Sequence, residues 1–278
     1  MELVWLGDAA AHEPLLTGGK AAALSRLAAG FRVPPGFVLT TEAFERAPEL
    51  IGAILEAAYA RLGHLVGEES PRVAVRSSAA DEDGAATSFA GQHETYLNLV
   101  GVDEVVGAVA RCWESARSER ALGYRRHHGL SSAEPAIAVL IQHLVPADVS
   151  AVVFSANPLT GARDEVVINA SWGLGESIVG GTTTPDTIVV RRSDLTVARH
   201  TVGEKRRMTV SVPGGTREVD VPALLRSRLA LSDEQVVAVA RLAIALEEAV
   251  GHPVDVECAL AGGELFLLQS RPITTLAL

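Results

Sequence analysis

Residues 136–145 read AIAVLIQHLV, an apolar run interrupted only by Gln142 and His143. A run that never alternates with polar residues fits a strand covered on both faces, so the chain must supply layers on either side of a sheet. The flanking segments differ in character. Before the run, TGGKAAALSRLAA (17–29) reads as a loop entering an Ala/Leu-rich helix, with Thr17 or Gly18 near the cap. Residues 49–66 and 103–128 have helical spacing, and RVAVRSS (72–78) alternates as a strand. After the run, VSAVVFSA (149–156), EVVINASWGLGE (165–176), TPDTIVVRR (184–192) and the stretch around VSVPGG read as strands and turns. The clearest amphipathic helix is 232–250, opened by Ser232 with Gln235 three residues on, a capping-box pattern. The change from helix-rich to strand-rich near residue 146 predicts two parts, 1–145 and 146–278.

At 278 residues the chain has room for two such parts. Its apolar content of 48% with only 4% aromatics predicts a core of Val, Leu, Ile and Ala. A formal charge of −10 argues against general nucleic-acid binding, which needs a basic face. No apolar run approaches the roughly 20 residues of a spanning helix, and MELVWLGDAA has no signal-peptide pattern. The two cysteines, Cys112 and Cys258, lack metal or redox spacing. The expected setting is therefore cytoplasmic, without a membrane partner. Only two of the 24 cationic residues are lysines, Lys20 and Lys205. Against an arginine background, a retained lysine points to a need for a compact ammonium.

Four stretches can carry chemistry. In TGGK (17–20), a glycine pair before a helix leaves N–H groups for an anion, and Lys20 in a first turn is at odds with the helix dipole unless a negative group lies beside it. The alternative is a flexible loop with an exposed lysine. In VRSSAADEDGAATSFAGQ, Arg76 ends a strand. It either meets a ligand or is paired by Asp81, Glu82 and Asp83, and Ser88–Gly91 forms a small-residue loop. GLGES and GGTTTPD are glycine-rich turns, weak signals taken singly.

The fourth is DVECALAGGELFLLQSR (255–271), two strands around a Gly-Gly turn. Asp255 and Glu257 share one strand face, as do Gln269 and Arg271. A two-residue Gly262–Gly263 loop pairs 261 with 264, opposes Glu257 to Leu268 and turns Gln269 away. A three-residue loop centred on Gly263 pairs 257 with 269 and 255 with 271, leaving Val256, Cys258, Phe266 and Leu268 for the other face. The second register is preferred. It gathers two carboxylates and an amide oxygen suited to Mg2+, beside an arginine suited to a phosphate. A plain Asp255–Arg271 cross-strand ion pair is the competing account.

In order along the chain, GGKAAALSRL, VPPGFVLTTEAF, VAVRSSAADED, SFAGQHETYLN, LVPADVSAVVFSANPLTG, GLGESIVGG, TPD and PVDVECALAGGELFLLQSRPIT resemble the ATP-binding domain of the phosphoenolpyruvate synthase, pyruvate phosphate dikinase and rifampicin phosphotransferase family. The resemblance implies an α+β fold of the ATP-grasp type, two lobes with the nucleotide in the cleft between them, and ATP and Mg2+ as cofactors. Lys20 and Arg76 resemble residues contacting the nucleotide phosphates, Arg120 a further phosphate-contacting arginine, and Gly91 part of the loop covering the phosphates. Gln142 to Val145, with Leu144, resembles the hinge whose backbone meets adenine. Glu257 and Gln269 resemble the magnesium ligands, Asp255 a supporting acid and Arg271 the γ-phosphate contact. Lys20, Arg76 and Arg271 are thus the catalytic set. Cys258, where the family pattern has an aromatic residue, and the Ala-Asp-Glu-Asp turn after Ala79 depart from it.

The activity implied is transfer of a pyrophosphoryl or phosphoryl group from ATP to a histidine of a swivelling partner domain, supplied in trans or removed from this chain. No histidine here lies in a loop of the kind that carries it. Two alternatives remain: a stand-alone ATP-grasp kinase or ligase acting on a small molecule, or a nucleotide sensor without turnover.

Overall fold

A computed structural model of the chain describes residues 1–45, 51–79, 94–118 and 137–276. These form two compact units. The first comprises Met1–Gly30, Pro34–Leu144 and Pro213–Gly215; the second comprises Phe31–Val33, Val145–Val212 and Thr216–Leu278. The class is α+β, as the resemblance implies.

In the first unit, β1 (Leu3–Trp5), β2 (Gly36–Leu39), β3 (Val73–Ala79), β4 (Thr95–Leu99) and β5 (Ile137–His143) form an antiparallel sheet in the order β1-β2-β5-β3-β4. The apolar run becomes β5, the middle strand, and Ile137 to Gln142 are all buried. One face carries Phe37, Leu39, Val73, Val75, Val139 and Ile141. They pack with Leu55 and Leu62 of α3 (Ile51–Val66) and with Val105 and Val109 of α4 (Val102–Ala116). Against β3 and β5 lies α1 (Pro14–Leu27), and α2 (Thr41–Glu45) follows β2. Of the helix expected over 103–128, α4 ends at Ala116, where Arg117 N donates to Glu114 O, and residues 119–128 lie outside the described residues.

The second unit holds a six-stranded antiparallel sheet in the order β13-β12-β6-β7-β8-β9. These strands are β6 (Val149–Phe154), β7 (Glu165–Trp172), β8 (Asp186–Arg191), β9 (Val197–Thr201), β12 (Val254–Ala261) and β13 (Glu264–Pro272). A separate ribbon pairs β10 (Arg207–Val212) with β11 (Gly215–Asp220). The short helices α5 (Glu176–Val179) and α6 (Ala223–Arg226) punctuate the connections.

The amphipathic segment forms α7 (Asp233–Val250). Its N-terminus has the expected capping box, Ser232 Oγ accepting from Gln235 N while Gln235 Oε1 accepts from Ser232 N. Val236, Val239, Ala240, Ala243 and Leu246 are its buried stripe. They meet the sheet face formed by Val153, Val166, Ile168, Val256 and Cys258, all nearly inaccessible. Alternation then sends Val152, Asn169, Glu257 and Thr187 to the opposite face, where each stays half-buried.

Candidate functional site

Gly18 sits inside α1 with φ 78° and ψ 161°, a backbone conformation essentially reserved for glycine, so the helix is two pieces joined at a kink. The expected loop-to-helix transition is therefore a break within a helix that already begins at Pro14. A Cβ on Gly18 would stand 2.2 Å from the carbonyl oxygen and Oγ of Ser78. Close approach to β3, rather than exposure of a glycine loop, is what the first glycine of TGGK provides. Just beyond it, Ala21 N donates to Ser78 Oγ at 3.2 Å and Lys20 Nζ donates to the Ser77 carbonyl at 3.2 Å. Lys20 is buried, so the account of it as an exposed lysine in a flexible loop is set aside.

Arg76, on β3 opposite Leu140 of β5, is half-buried. Asp81, Glu82 and Asp83, offered as its partners, lie outside the described residues, as do Gly91 and Arg120. At the end of β5, the buried Gln142 side chain donates Nε2 to the Pro34 carbonyl at 3.0 Å. His143 N donates to Pro35 O at 2.9 Å and Leu144 N to Arg72 O at 2.8 Å, so these N–H groups are engaged within the first unit. Val145 opens the second unit, and its carbonyl accepts from Ala147 N.

The C-terminal hairpin turns on Gly262 (φ 57°) and Gly263 (φ 83°), with Ala261 opposite Glu264. Two left-handed residues in a two-residue loop make a type I′ turn. The preferred three-residue loop is thus incorrect, yet Glu257 still faces Gln269 and Asp255 still faces Arg271. A bulge reconciles the two. Cys258 pairs with Leu267 and Glu257 with Gln269, so Leu268 is an extra residue that shifts the phase of β13. Up to the bulge the ladder follows the two-residue turn; beyond it the strand is offset by one. As a result Leu267, not Leu268, shares the α7 side with Cys258, and Phe266 falls on the polar side. There the Arg32 guanidinium stacks over the Phe266 ring at 5.5 Å.

Arg271 Nε and Nη2 both bind Asp255 Oδ2, at 2.8 and 2.7 Å, so the cross-strand ion pair is real. It leaves Asp255 Oδ1 buried with no hydrogen-bond partner among the described residues. Burial pushes the Asp255 carboxyl above its usual range; Arg271 opposes the shift and the neighbouring Glu257 adds to it. A buried oxygen lacking a donor on a carboxylate is costly unless a cation or donor meets it. With Glu257 half-buried and Gln269 buried on the same face, the hairpin fits a small hard cation that takes oxygen ligands and completes its shell elsewhere. Among the described residues there is no cluster of three or more His, Cys, Asp or Glu able to hold a metal alone. Behind this face, burial pushes the Cys258 thiol up to about 12, which makes it an inert core residue.

Two features escaped the sequence reading. Lys205 and Asp186 are both fully buried and form an ion pair. Asp186 also accepts from Gly203 N and Ala230 N, while Lys205 Nζ donates to Gly203 O. The scarcity of lysine was the available signal, since the pocket takes a compact ammonium. Asn169 is the second, on the same sheet face as Glu257; alternation in EVVINASW gives its face but not its neighbours.

Residues 45–277 match the family of the pyruvate phosphate dikinase AMP/ATP-binding domain. A probable phosphoenolpyruvate synthase of Methanocaldococcus jannaschii is 35% identical over 318 aligned residues, covering 99% of this chain and 27% of that protein. The phosphoenolpyruvate synthase of Pyrococcus furiosus is 40% identical, covering 82% of this chain and 29% of that protein. An uncharacterized phosphotransferase, YvkC of Bacillus subtilis, is 36% identical over 94% of this chain and 34% of that protein. The chain thus spans between about a quarter and a third of the length of these relatives. Among the described residues, no helix is long and apolar enough to cross a membrane.

Proposed function

For a chain that belongs to the family of pyruvate phosphate dikinase AMP/ATP-binding domains, we propose that it binds Mg–ATP as an ATP-grasp domain and passes a pyrophosphoryl or phosphoryl group to a histidine of a partner domain. The observation that carries this reading is the bulged hairpin. It aligns Asp255, Glu257, Gln269 and Arg271 on one face and leaves a buried carboxylate oxygen without a donor. The two units serve as the two lobes, and the setting is cytoplasmic.

In this reading Glu257 and Gln269 hold Mg2+ through Oε atoms and Asp255 through Oδ1. When bound, Mg2+ supplies charge neutralisation on the phosphate oxygens. Arg271 fixes Asp255 and presents its guanidinium to the terminal phosphate. Lys20, held at the Ser77 carbonyl, and Arg76 on the same strand as Ser77 neutralise the rest of the phosphate chain. Arg120 and Gly91 are assigned to the same phosphates, and Gln142 to Val145 to adenine, through backbone groups other than the engaged His143 and Leu144 N–H. The transfer needs in-line placement and charge compensation rather than a covalent intermediate on this domain.

Calorimetric titration with ATP and Mg2+, followed by assay of AMP and ADP, tests the proposal. Magnesium-dependent ATP binding is expected, with AMP released when a phosphohistidine domain from a relative is added. ADP formed on a small-molecule acceptor would mean a stand-alone kinase or ligase. Tight binding without either product would mean a sensor. Glu257→Ala and Gln269→Ala should each weaken Mg–ATP binding about tenfold or more while leaving thermal unfolding near wild type. Wild-type affinity in both variants would refute the metal assignment.

A further inference from the structure

The register of the second sheet places a continuous row of side chains across the face that α7 leaves uncovered. Gln269 of β13 opposes Glu257 of β12, which opposes Val152 of β6. Val152 in turn opposes Asn169 of β7, which opposes Thr187 of β8. Directly opposed residues on antiparallel strands project to the same side, so all five share this face. Strands lie about 4.8 Å apart, which puts the backbone of Asn169 roughly 10 Å from that of Glu257. In this row the short Val152 side chain stands between them, so a ligand held at Glu257 can extend over it to Asn169.

The Asn169 amide is oriented. Thr187 Oγ1 donates to Asn169 Oδ1 at 3.0 Å, which fixes the carbonyl toward β8 and turns Nδ2 away from Thr187. Asn169 is half-buried, and its Nδ2 donates to no group among the described residues. An amide carries two N–H donors, and a partly desolvated pair of them, in a row whose other members are Gln269, Glu257, Val152 and Thr187, is suited to an anionic oxygen. The hairpin collects cation ligands; Asn169 contributes the complementary group, a neutral donor that adds no charge repulsion toward phosphate.

We propose that Asn169 Nδ2 is a hydrogen-bond donor to a phosphate oxygen of the nucleotide bound at the hairpin, with Thr187 as the positioning residue that sets the amide. The inference rests on the Mg–ATP reading of the hairpin. Neighbouring alternatives carry less: the Lys205–Asp186 pair is internally satisfied, and nothing shows what covers the exposed Leu159.

The test is titration of Mg–ATP and Mg–AMP into wild type and into Asn169→Leu, Asn169→Asp and Thr187→Val, each checked by thermal unfolding. Loss of one hydrogen bond to a charged oxygen predicts Mg–ATP affinity about ten- to a hundredfold weaker in Asn169→Leu. Thr187→Val should show a smaller loss, because the amide is then free to rotate. Asn169→Asp, which offers no N–H, should do no better than Asn169→Leu. If Asp restores affinity, the oxygen at this position is a metal ligand and the donor assignment is wrong. If Asn169→Leu binds like wild type while Glu257→Ala does not, the inference fails and the hairpin reading stands. If wild type itself shows no magnesium-dependent binding, both fail together.

Discussion

Gly18→Ala tests whether the first glycine of TGGK is there for packing. The native φ of 78° with ψ of 161° costs a non-glycine residue about 1–3 kcal/mol. The new Cβ would lie 2.2 Å from two oxygens of Ser78, one of them backbone, so the chain rather than a flexible side chain must move. Relief of such overpacking typically costs about 1–3 kcal/mol. Moving α1 from β3 also endangers the Ala21–Ser78 and Lys20–Ser77 hydrogen bonds, worth about 1 kcal/mol each. Because relaxation relieves one term at the expense of another, the expected loss is about 3–6 kcal/mol, comparable to the whole margin of many domains. The assay is urea unfolding in a Trp172→Phe background, in which Trp5 and Trp113 of the first unit report by fluorescence. Mg–ATP affinity, measured in the same background, should fall with the displacement of Lys20. Gly107→Ala is the internal control: Gly107 lies inside α4, where a Cβ would meet the Arg111 guanidinium at an ordinary 3.5 Å, so alanine should stabilise by about 0.5–1 kcal/mol. An unchanged urea midpoint for Gly18→Ala would refute the packing argument.

Two further outcomes follow from the second unit. Burial raises the native Asp255 carboxyl above its ordinary 3.8, so the folded chain binds that proton more tightly than the unfolded chain. The contribution of this group to stability is therefore largest at low pH. It declines as pH rises from about 3.8 through the raised native value and is then level. Magnesium needs the ionised carboxylate, so Mg–ATP affinity should move oppositely and strengthen over that window. The urea midpoint and affinity measured against pH, wild type minus Asp255→Asn, isolate the group; a difference flat with pH would contradict the assignment. Lys205→Met leaves the Asp186 carboxylate buried without its ammonium and should destabilise by about 3–5 kcal/mol. Adding Asp186→Asn should recover part of that, as measured by unfolding, whereas an additive double variant would show that the two groups act independently.

The sequence by itself determined the local matters. Apolarity without alternation in 136–141 required a doubly covered strand, and β5 is one, because a strand with no polar side has no face for water. Ser232 and Gln235 specified a helix start, since their reciprocal bonds involve groups three residues apart. Alternation likewise put Asp255 with Glu257 and Gln269 with Arg271, because strand side chains repeat every two residues. Whether the two pairs meet was beyond that logic. Turn type alone predicts that a Gly-Gly loop separates them, and the loop is indeed of that type. The bulge at Leu268 brings them together, and a bulge is a property of how two strands pair, which the periodicity of either strand does not encode. The same holds for Lys205, read from sequence only as a rare residue: its partner is 19 positions away and its burial depends on the β8 face. Asn169 had a face from its own strand but gained a relation to Glu257 only when β6 was placed between them. Periodicity is a property of one strand, whereas neighbourhood is a property of the sheet, and only the tertiary structure supplies the second.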